Sequence, residues 1–396
     1  MQTERLRRSL ASTNYRTRML VVLSLGWAAL QCGRFLLPPL LPRITETLHV
    51  SSGAAGLALT AFGLVYAVVQ YPSGAYSDAL SRATLLLPGF VVLLAAFAVV
   101  GIAPGIVAFV VGLLLMGAGK GLYASPSRAL VGDLFTGRRG RALGIYAAGT
   151  DVGGLVASGL AVLVLAVATW RLAFLPVVVV LAGVGALFVL WNREPYAVGR
   201  VEVSPGATVR RIAATRSQRE TLLAYSLFYF VVGGLTNFFP LLLVEHGGFS
   251  EAVAGGAFAL LFAVGIVAKP AAGEVSDRFP RLLVSVAGLL LAAVGFAVVL
   301  AGEVLPVVAG GTVLLALGYK TQFPIADAVV MEAAPEGSVG GDLGAARGAF
   351  LGANALGPGF VGVVAELASY RIAFWALTVG LLASAAVLAA QYWRRR

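Results

Sequence analysis

Gly112–Asp133 reads GLLLMGAGKGLYASPSRALVGD, an apolar run long enough to enter a bilayer, with Lys120 near its middle. An ammonium at the bilayer centre costs about 2.5–3.5 kcal/mol on insertion scales and usually faces a bundle interior or a watery cavity. The 396 residues contain three lysines, Lys120, Lys269 and Lys320, and all three fall inside apolar runs. Most arginines fall between runs instead. The pattern points to a cationic cavity enclosed by membrane-spanning segments.

A chain that is 59% hydrophobic and 12% charged is a polytopic membrane protein and not a soluble domain. The formal charge of +11 sits mainly in short segments between apolar runs, where it sets membrane orientation; no nucleic-acid partner is implied. A single cysteine, Cys32, excludes an internal disulfide and a cysteine-built metal site. His49 and His246 offer little for metal or nucleophilic chemistry, and neither a metal nor a cofactor is expected. No G-x-x-x-x-G-K-[ST] loop for nucleotide phosphates occurs.

Runs of about 18–25 mostly apolar residues give twelve expected spans. The first six lie near 19–42, 53–76, 83–103, 105–129, 141–167 and 171–192. The second six lie near 221–244, 252–273, 281–301, 305–329, 345–367 and 371–392. The composition marks these as helices, giving an all-α protein. The expected organisation is a basic tail at 1–18, a six-helix bundle at 19–192, a polar linker at 193–220, a second bundle at 221–392, and a basic end at 393–396. The tail lacks a small-residue cleavage site and reads as a cytoplasmic segment. Arginines of the tail, of the loop with Arg138, Arg139 and Arg141, of the linker and of the C-terminal end share one side. Positive-inside then places both termini in the cytoplasm of a cell-membrane protein. Glu332, Glu336 and Asp342 depart from that pattern.

The halves repeat. Gly74-x-x-x-Asp78 returns as Gly273-x-x-x-Asp277 at an offset of 199 residues. Trp170-Arg171-Leu-Ala-Phe174 returns as Tyr370-Arg371-Ile-Ala-Phe374 at an offset of 200. Gly119 with Pro126 is echoed by Gly318 with Pro324. Two copies of a six-helix unit are the internal symmetry of transporters that rock two bundles about a midplane site.

On these residues the chain resembles the major facilitator superfamily. The family's loop after the second span, Gly-x-x-x-Asp-(Arg/Lys)-x-Gly-x-(Arg/Lys), reads here Gly74-Ala-Tyr-Ser-Asp78-Ala-Leu-Ser-Arg82. Ala79 and Ser81 depart from it, whereas Gly273-Glu-Val-Ser-Asp277-Arg278-Phe-Pro-Arg281 keeps the basic neighbour. The resemblance implies two pseudo-symmetric bundles that alternate access as a rocker switch. It also implies a gate at Gly74, Asp78, Arg82, Gly273, Asp277 and Arg278, with glycine allowing close packing and aspartate capping or pairing across the half-interface. The family's drug/proton antiporters carry a Gly-rich, Pro-containing fifth span. Here that span reads Gly149-Thr-Asp151-Val-Gly153-Gly154 without proline, and Gly357-Pro358-Gly359 stands in the eleventh.

Arg34, Lys120, Arg128, Lys269 and Lys320 face only Asp151 and Asp327 within the spans, so the cavity is expected to suit an anion. Arg34 is about four turns into its run, too deep to snorkel, and its planar fork matches a carboxylate or phosphate. Lys269 is little more than a turn from Glu274, a ready partner. Lys320 and Asp327 lie two turns apart on one face, and Arg128 lies near Asp133. Arg34 and Lys120 lack such neighbours, which leaves Asp151 as their expected cross-helix partner. Tyr66, Gln70 and Tyr123 add polar groups on the expected substrate path. Tyr225, Tyr229, Asn237, Tyr319, Gln322 and Asn354 read mainly as interhelical hydrogen-bonders.

The expected function is secondary transport of a small organic or phosphorylated anion by a monomer among membrane lipids, with H+ as a candidate coupling ion. Drug/proton antiport, with Asp151 or Asp327 carrying the proton, is the alternative. A membrane-embedded enzyme or a channel fits less well, because no nucleophile–base or metal set exists and two matched bundles imply alternation.

Overall fold

The computed structural model describes residues 2–199, 215–333 and 339–395. Its elements are α1 (Gln2–Leu48), α2 (Ser52–Ala79), α3 (Arg82–Ile102), α4 (Ile106–Leu134), α5 (Arg139–Val167) and α6 (Leu175–Trp191) in the first half. The second half holds α7 (Arg216–Glu245), α8 (Glu251–Arg278), α9 (Arg281–Ala301), α10 (Leu305–Ala333), α11 (Val339–Leu367) and α12 (Tyr370–Arg395). Each contains a stretch long and apolar enough to cross a membrane, α6 doing so together with the 3-10 turn Trp170–Phe174 that leads into it. The described residues hold no strand.

Helices α1, α7 and α12 run past the expected bounds, α12 as far as Arg395. Helix α1 runs back to Gln2 through the expected tail, because no glycine or proline interrupts residues 2–25. Helix α7 starts at Arg216 inside the expected linker, where the Thr215 hydroxyl accepts the Gln218 N–H at 3.2 Å. Residues 200–214 of that linker, Glu336 and the Asp342 side chain lie outside what is described.

The repeat extends to turn chemistry. Ser51 caps α2 by accepting the Ala54 N–H at 3.2 Å, and Ser250 caps α8 by accepting the Val253 N–H at 3.3 Å. The preceding turns put His49 at φ 51° and Gly248 at φ 65°, again 199 residues apart. Glycine adopts that left-handed backbone freely, whereas His49 holds it against its Cβ.

Within the first half α1 packs on α5 and α6, and α4 on α2 and α3. Within the second, α7 packs on α11 and α12, and α10 on α8 and α9. The halves meet mainly along α2–α11 and α5–α8.

These two seams are tight at the end away from the termini. A Cβ on Gly56 would lie 2.5 Å from the Pro358 carbonyl oxygen, and one on Gly362 would lie 2.3 Å from that of Ser52. Thr60 accepts the Gly359 N–H at 2.8 Å, and Glu366 accepts the Gly53 N–H at 2.9 Å. Arg43 pairs with Glu251 at 2.9 Å across the same end. On α5–α8, Gly154 fits against Phe262 and Gly255 against Val162.

Nearer the termini the same helix faces separate. A Cβ on Gly140 or Gly144 of α5, Gly273 of α8, or Gly348 or Gly352 of α11 would meet nothing within 4 Å. The interface is therefore a wedge, closed beyond the level of Asp151 and open toward the face that carries both termini.

Candidate functional site

The wedge narrows onto a layer of buried charge. Arg34 of α1 is 8% exposed and its guanidinium lies 4.4 Å from the Phe35 ring. Lys120 of α4 is 7% exposed, with its ammonium 4.4 Å from the Tyr66 ring, 5.7 Å from Phe62 and 5.9 Å from Trp27. Three aromatic faces can hold a cation without neutralising it. The two cations sit within electrostatic reach of each other, and Arg34 also of the Tyr66 and Tyr319 hydroxyls. Among the described residues neither Arg34 nor Lys120 has a carboxylate partner. The Tyr319 hydroxyl is buried without a hydrogen-bond partner beside them.

A second centre lies across the interface. Asp151 of α5 is 2% exposed and accepts from Lys320 of α10 at 2.8 Å and from Lys269 of α8 at 2.5 Å. Gly265 of α8 makes room for this bridge, since a Cβ there would lie 2.9 Å from both Asp151 Oδ1 and Lys320 Cδ. The Lys320 ammonium also lies 4.4 Å from the Phe262 ring. A carboxylate from one half thus occupies a two-lysine site built by the other.

A third pair joins α10 to α11, where Arg347 Nε donates to Asp327 Oδ1 at 3.0 Å and a second guanidinium N–H meets Asp327 Oδ2. Tyr66 lies within electrostatic reach of Arg347, Arg128 and Arg34.

Four expected pairings are corrected by this geometry. Asp151 serves Lys269 and Lys320, so it partners neither Lys120 nor Arg34. Lys269 turns to Asp151 and leaves Glu274 exposed, because Lys269 lies on the face of α8 that meets α5. Lys320 is not neutralised by Asp327, which Arg347 holds from the next helix. Asp133 pairs with Arg82 at 3.1 Å and not with Arg128.

Tyr123 is also displaced from its expected place. It is fully buried, donates to the Leu23 carbonyl at 2.8 Å and packs edge-on against Phe90, so it joins α4 to α1 and α3. Gln70 is half-buried next to α4, where its carbonyl accepts from Ser125 at 3.4 Å and its side-chain oxygen is buried without a partner. Gln322 and Tyr225 both bond Ser285, and Asn354 donates to the Tyr229 carbonyl at 2.9 Å, as interhelical hydrogen bonds.

The expected gate residues pair within their own halves. Arg82 meets Asp78 and Asp133 and donates to Ser77 at 3.0 Å. Arg281 meets Glu332 and lies 3.7 Å from Asp277. Each member is 199 residues from its counterpart, which accounts for Glu332, an acid that had no place in the orientation pattern. The expected pairing of aspartate across the half-interface is absent among the described residues, because the halves are parted at this face. Asp78 and Asp277 are exposed, as is Arg278. Gly74 reaches only ordinary contact with Ser125 of its own half, and Gly273 faces open space, so neither glycine serves close packing between halves here. Close packing between halves falls instead to Gly56 and Gly362 on α2–α11 and to Gly154 and Gly255 on α5–α8, while Gly357, against the Phe230 carbonyl and Gly234, and Gly153, against α1, pack within their own halves.

Twelve spanning helices in two related halves, closed on a buried charged layer at one end and parted at the other, define a multi-pass membrane transporter. Residues 23–268 and 221–396 match the family model of the Major Facilitator Superfamily, and the chain belongs to that family. It is 26% identical over 266 residues to the nitrite extrusion protein of Bacillus subtilis (strain 168), a match covering 65% of this chain and 66% of that protein. It is 23% identical over 251 residues to the hexuronate transporter of the same organism, covering 60% of this chain and 58% of that one. The matches thus span just under two thirds of these relatives' lengths or less. Among solved structures, a bacterial homolog of the human lysosomal transporter Spinster, inward-facing and occupied, superposes with a TM-score of 0.82 at 20% identity. That match covers 96% of this chain and 97% of the other, and shows the shared fold.

Proposed function

We propose that the chain is a secondary transporter of a small organic or phosphorylated anion, bound between the halves at Arg34 and Lys120. The observation that carries this reading is a pair of buried cations with no carboxylate partner among the described residues. Buried charge without compensation is costly, and a solute anion entering the wedge supplies it. Arg34 offers a bidentate fork and Lys120 a point charge, with Tyr66 and Tyr319 as flanking hydroxyls. The names of the two Bacillus subtilis relatives, for nitrite and hexuronate, agree in charge sign with such a cargo.

Alternating access follows from the wedge. Closing the terminal face would bring Asp78, Arg82, Asp277 and Arg278 together, while opening the other end would part Asp151 from Lys269 and Lys320. Those lysines then become a second anion-attracting site facing the other side, and Asp151 becomes free to take a proton. Arginine placement supports a cytoplasmic terminal face, so the state described is inward-open, in a monomer of the cell membrane. Efflux of lipophilic cations has less support, because Asp151 and Asp327 are both held by basic partners and leave no free carboxylate in the layer among the described residues.

A ligand panel read by thermal shift on the purified protein tests the proposal. Glucuronate, glucose 6-phosphate, nitrite and tetraphenylphosphonium are compared at equal concentration. Stabilisation grows with the logarithm of ligand over Kd, so weak binders register. Stabilisation by one or more anions and none by the cation is expected; the reverse order would overturn the anion reading.

A further inference from the structure

A cavity of about 250 Å³ lies outside the central layer, between the start of the spanning part of α1 and the end of α6 at the terminal face. Asn14, Tyr15 and Arg18 line it from α1, and Leu190, Trp191 and Arg193 from the other side. Two reciprocal stacks brace it: the Arg18 guanidinium lies 5.1 Å from the Trp191 ring, and that of Arg193 lies 5.0 Å from the Tyr15 ring. A guanidinium lying on a ring keeps its N–H donors free at its edge. Neither arginine has an ion-pair partner among the described residues. The neighbouring carboxylate, Glu194, accepts the Ala83 N–H at 3.3 Å instead.

Below this polar mouth the surface is apolar and open. Val21 and Leu25 follow Arg18 by one and two turns on α1 and are 49% and 50% exposed. Leu190, in the cavity wall, is 75% exposed, and Leu187 one turn deeper is 36% exposed. Trp, Tyr and Arg over an apolar strip are the composition of a helix end at the headgroup level of a bilayer. The cavity is smaller than a typical ligand pocket of about 300–1,000 Å³, so it suits a headgroup and not a whole amphiphile.

We propose that this groove is a binding site for the phosphate headgroup of an anionic phospholipid, with Arg18 and Arg193 on the phosphate and the acyl chains along Val21, Leu25, Leu187 and Leu190. Phosphate chemistry alone also fits a soluble phosphate; the apolar strip favours the lipid. The site is independent of the transported solute.

The test is native mass spectrometry of the full chain titrated with dioleoylphosphatidylglycerol, against dioleoylphosphatidylcholine, sn-glycerol 3-phosphate and inorganic phosphate. Arg18→Gln, Arg193→Gln and the double variant are compared with wild type. Each single change is expected to weaken phosphatidylglycerol binding about five-fold and the double about 25-fold, with phosphatidylcholine binding unaltered. The single variants, each retaining one stack, read the same quantity if the double does not fold. Phosphatidylglycerol binding within two-fold of wild type in both single variants would overturn the proposal. Displacement of the lipid by millimolar glycerol 3-phosphate or inorganic phosphate would overturn the lipid assignment in favour of a soluble anion.

Discussion

Asp151 and Lys320 make a 2.8 Å ion pair between α5 and α10, joining the two halves at the narrow end of the wedge. With Lys269 on its other oxygen, the carboxylate neutralises the buried Lys320 and the half-buried Lys269 at once. Removing one member of a buried pair leaves an uncompensated charge, a loss of about 3–5 kcal/mol. Asp151→Asn is therefore expected to weaken the closed end by roughly that amount. Cysteines placed at Ser52 and Glu366, at the far end of the seam, should become more accessible to thiol reagents. The double change Asp151→Asn with Lys320→Met removes the repelling lysine and should restore most of the protection; unaltered accessibility in Asp151→Asn would mean that the pair does not hold this end.

The α2–α11 seam depends on backbone contact. A methyl on Gly56 meets the Pro358 carbonyl, which cannot swing aside as a side chain would. Gly56→Ala is expected to disfavour the described state by about 1–3 kcal/mol, the range of overpacking, and to shift the protein toward the opposite opening. Gly144→Ala, where a Cβ would meet nothing, is the control. Spin labels on α2 and α11 read the distance at each end; identical distributions for both variants would contradict the seam's role.

Arg82 and Arg281 each tie the loop after the second helix of a half to an acid on its fourth helix, Asp133 and Glu332. The acids are exposed, so each pair contributes only about 0–1 kcal/mol to stability. Asp133→Asn and Glu332→Gln should therefore leave the melting temperature nearly unaltered. Transport should still fall, because the helix ends carrying Asp78 and Asp277 must be held in place when the terminal face closes. Proteoliposome uptake checks this, and full activity in the double variant would reduce both pairs to surface charge.

Much of this architecture is legible in the chain because apolar run length and a 199-residue repeat are one-dimensional signals. The buried lysines are legible too, since three lysines confined to apolar runs mark the helices of the charged layer. Their partners are not. Sequence fixes the depth of Lys269 on α8 and of Asp151 on α5, but not the rotation of one helix against another, so same-helix neighbours such as Glu274 and Asp327 look like better partners than they are. Tyr123 fails for the same reason: three residues from Lys120 it sits on a neighbouring ridge and turns to α1. Arg347 is missed because it lies at the start of the expected span 345–367, where charges are normally solvated, yet the helix begins at Val339 and aims it at Asp327. The offset that matches Asp78 to Asp277 also aligns Asp133 with Glu332, and Arg82 with Arg281. That alignment is the signal by which both clusters could have been found.

The central claim is that Arg34 and Lys120 bind the transported anion, and Lys120→Met tests it most directly. Methionine keeps the length and apolar bulk beside Tyr66, Phe62 and Trp27 while deleting the charge. Isothermal titration with the anion that stabilises wild type most should show binding weakened by about 1.5–3 kcal/mol, the scale of a hydrogen bond to a charged group. The melting temperature should hold or rise, because no buried carboxylate loses a partner. Unchanged anion affinity in both Lys120→Met and Arg34→Gln would contradict the account.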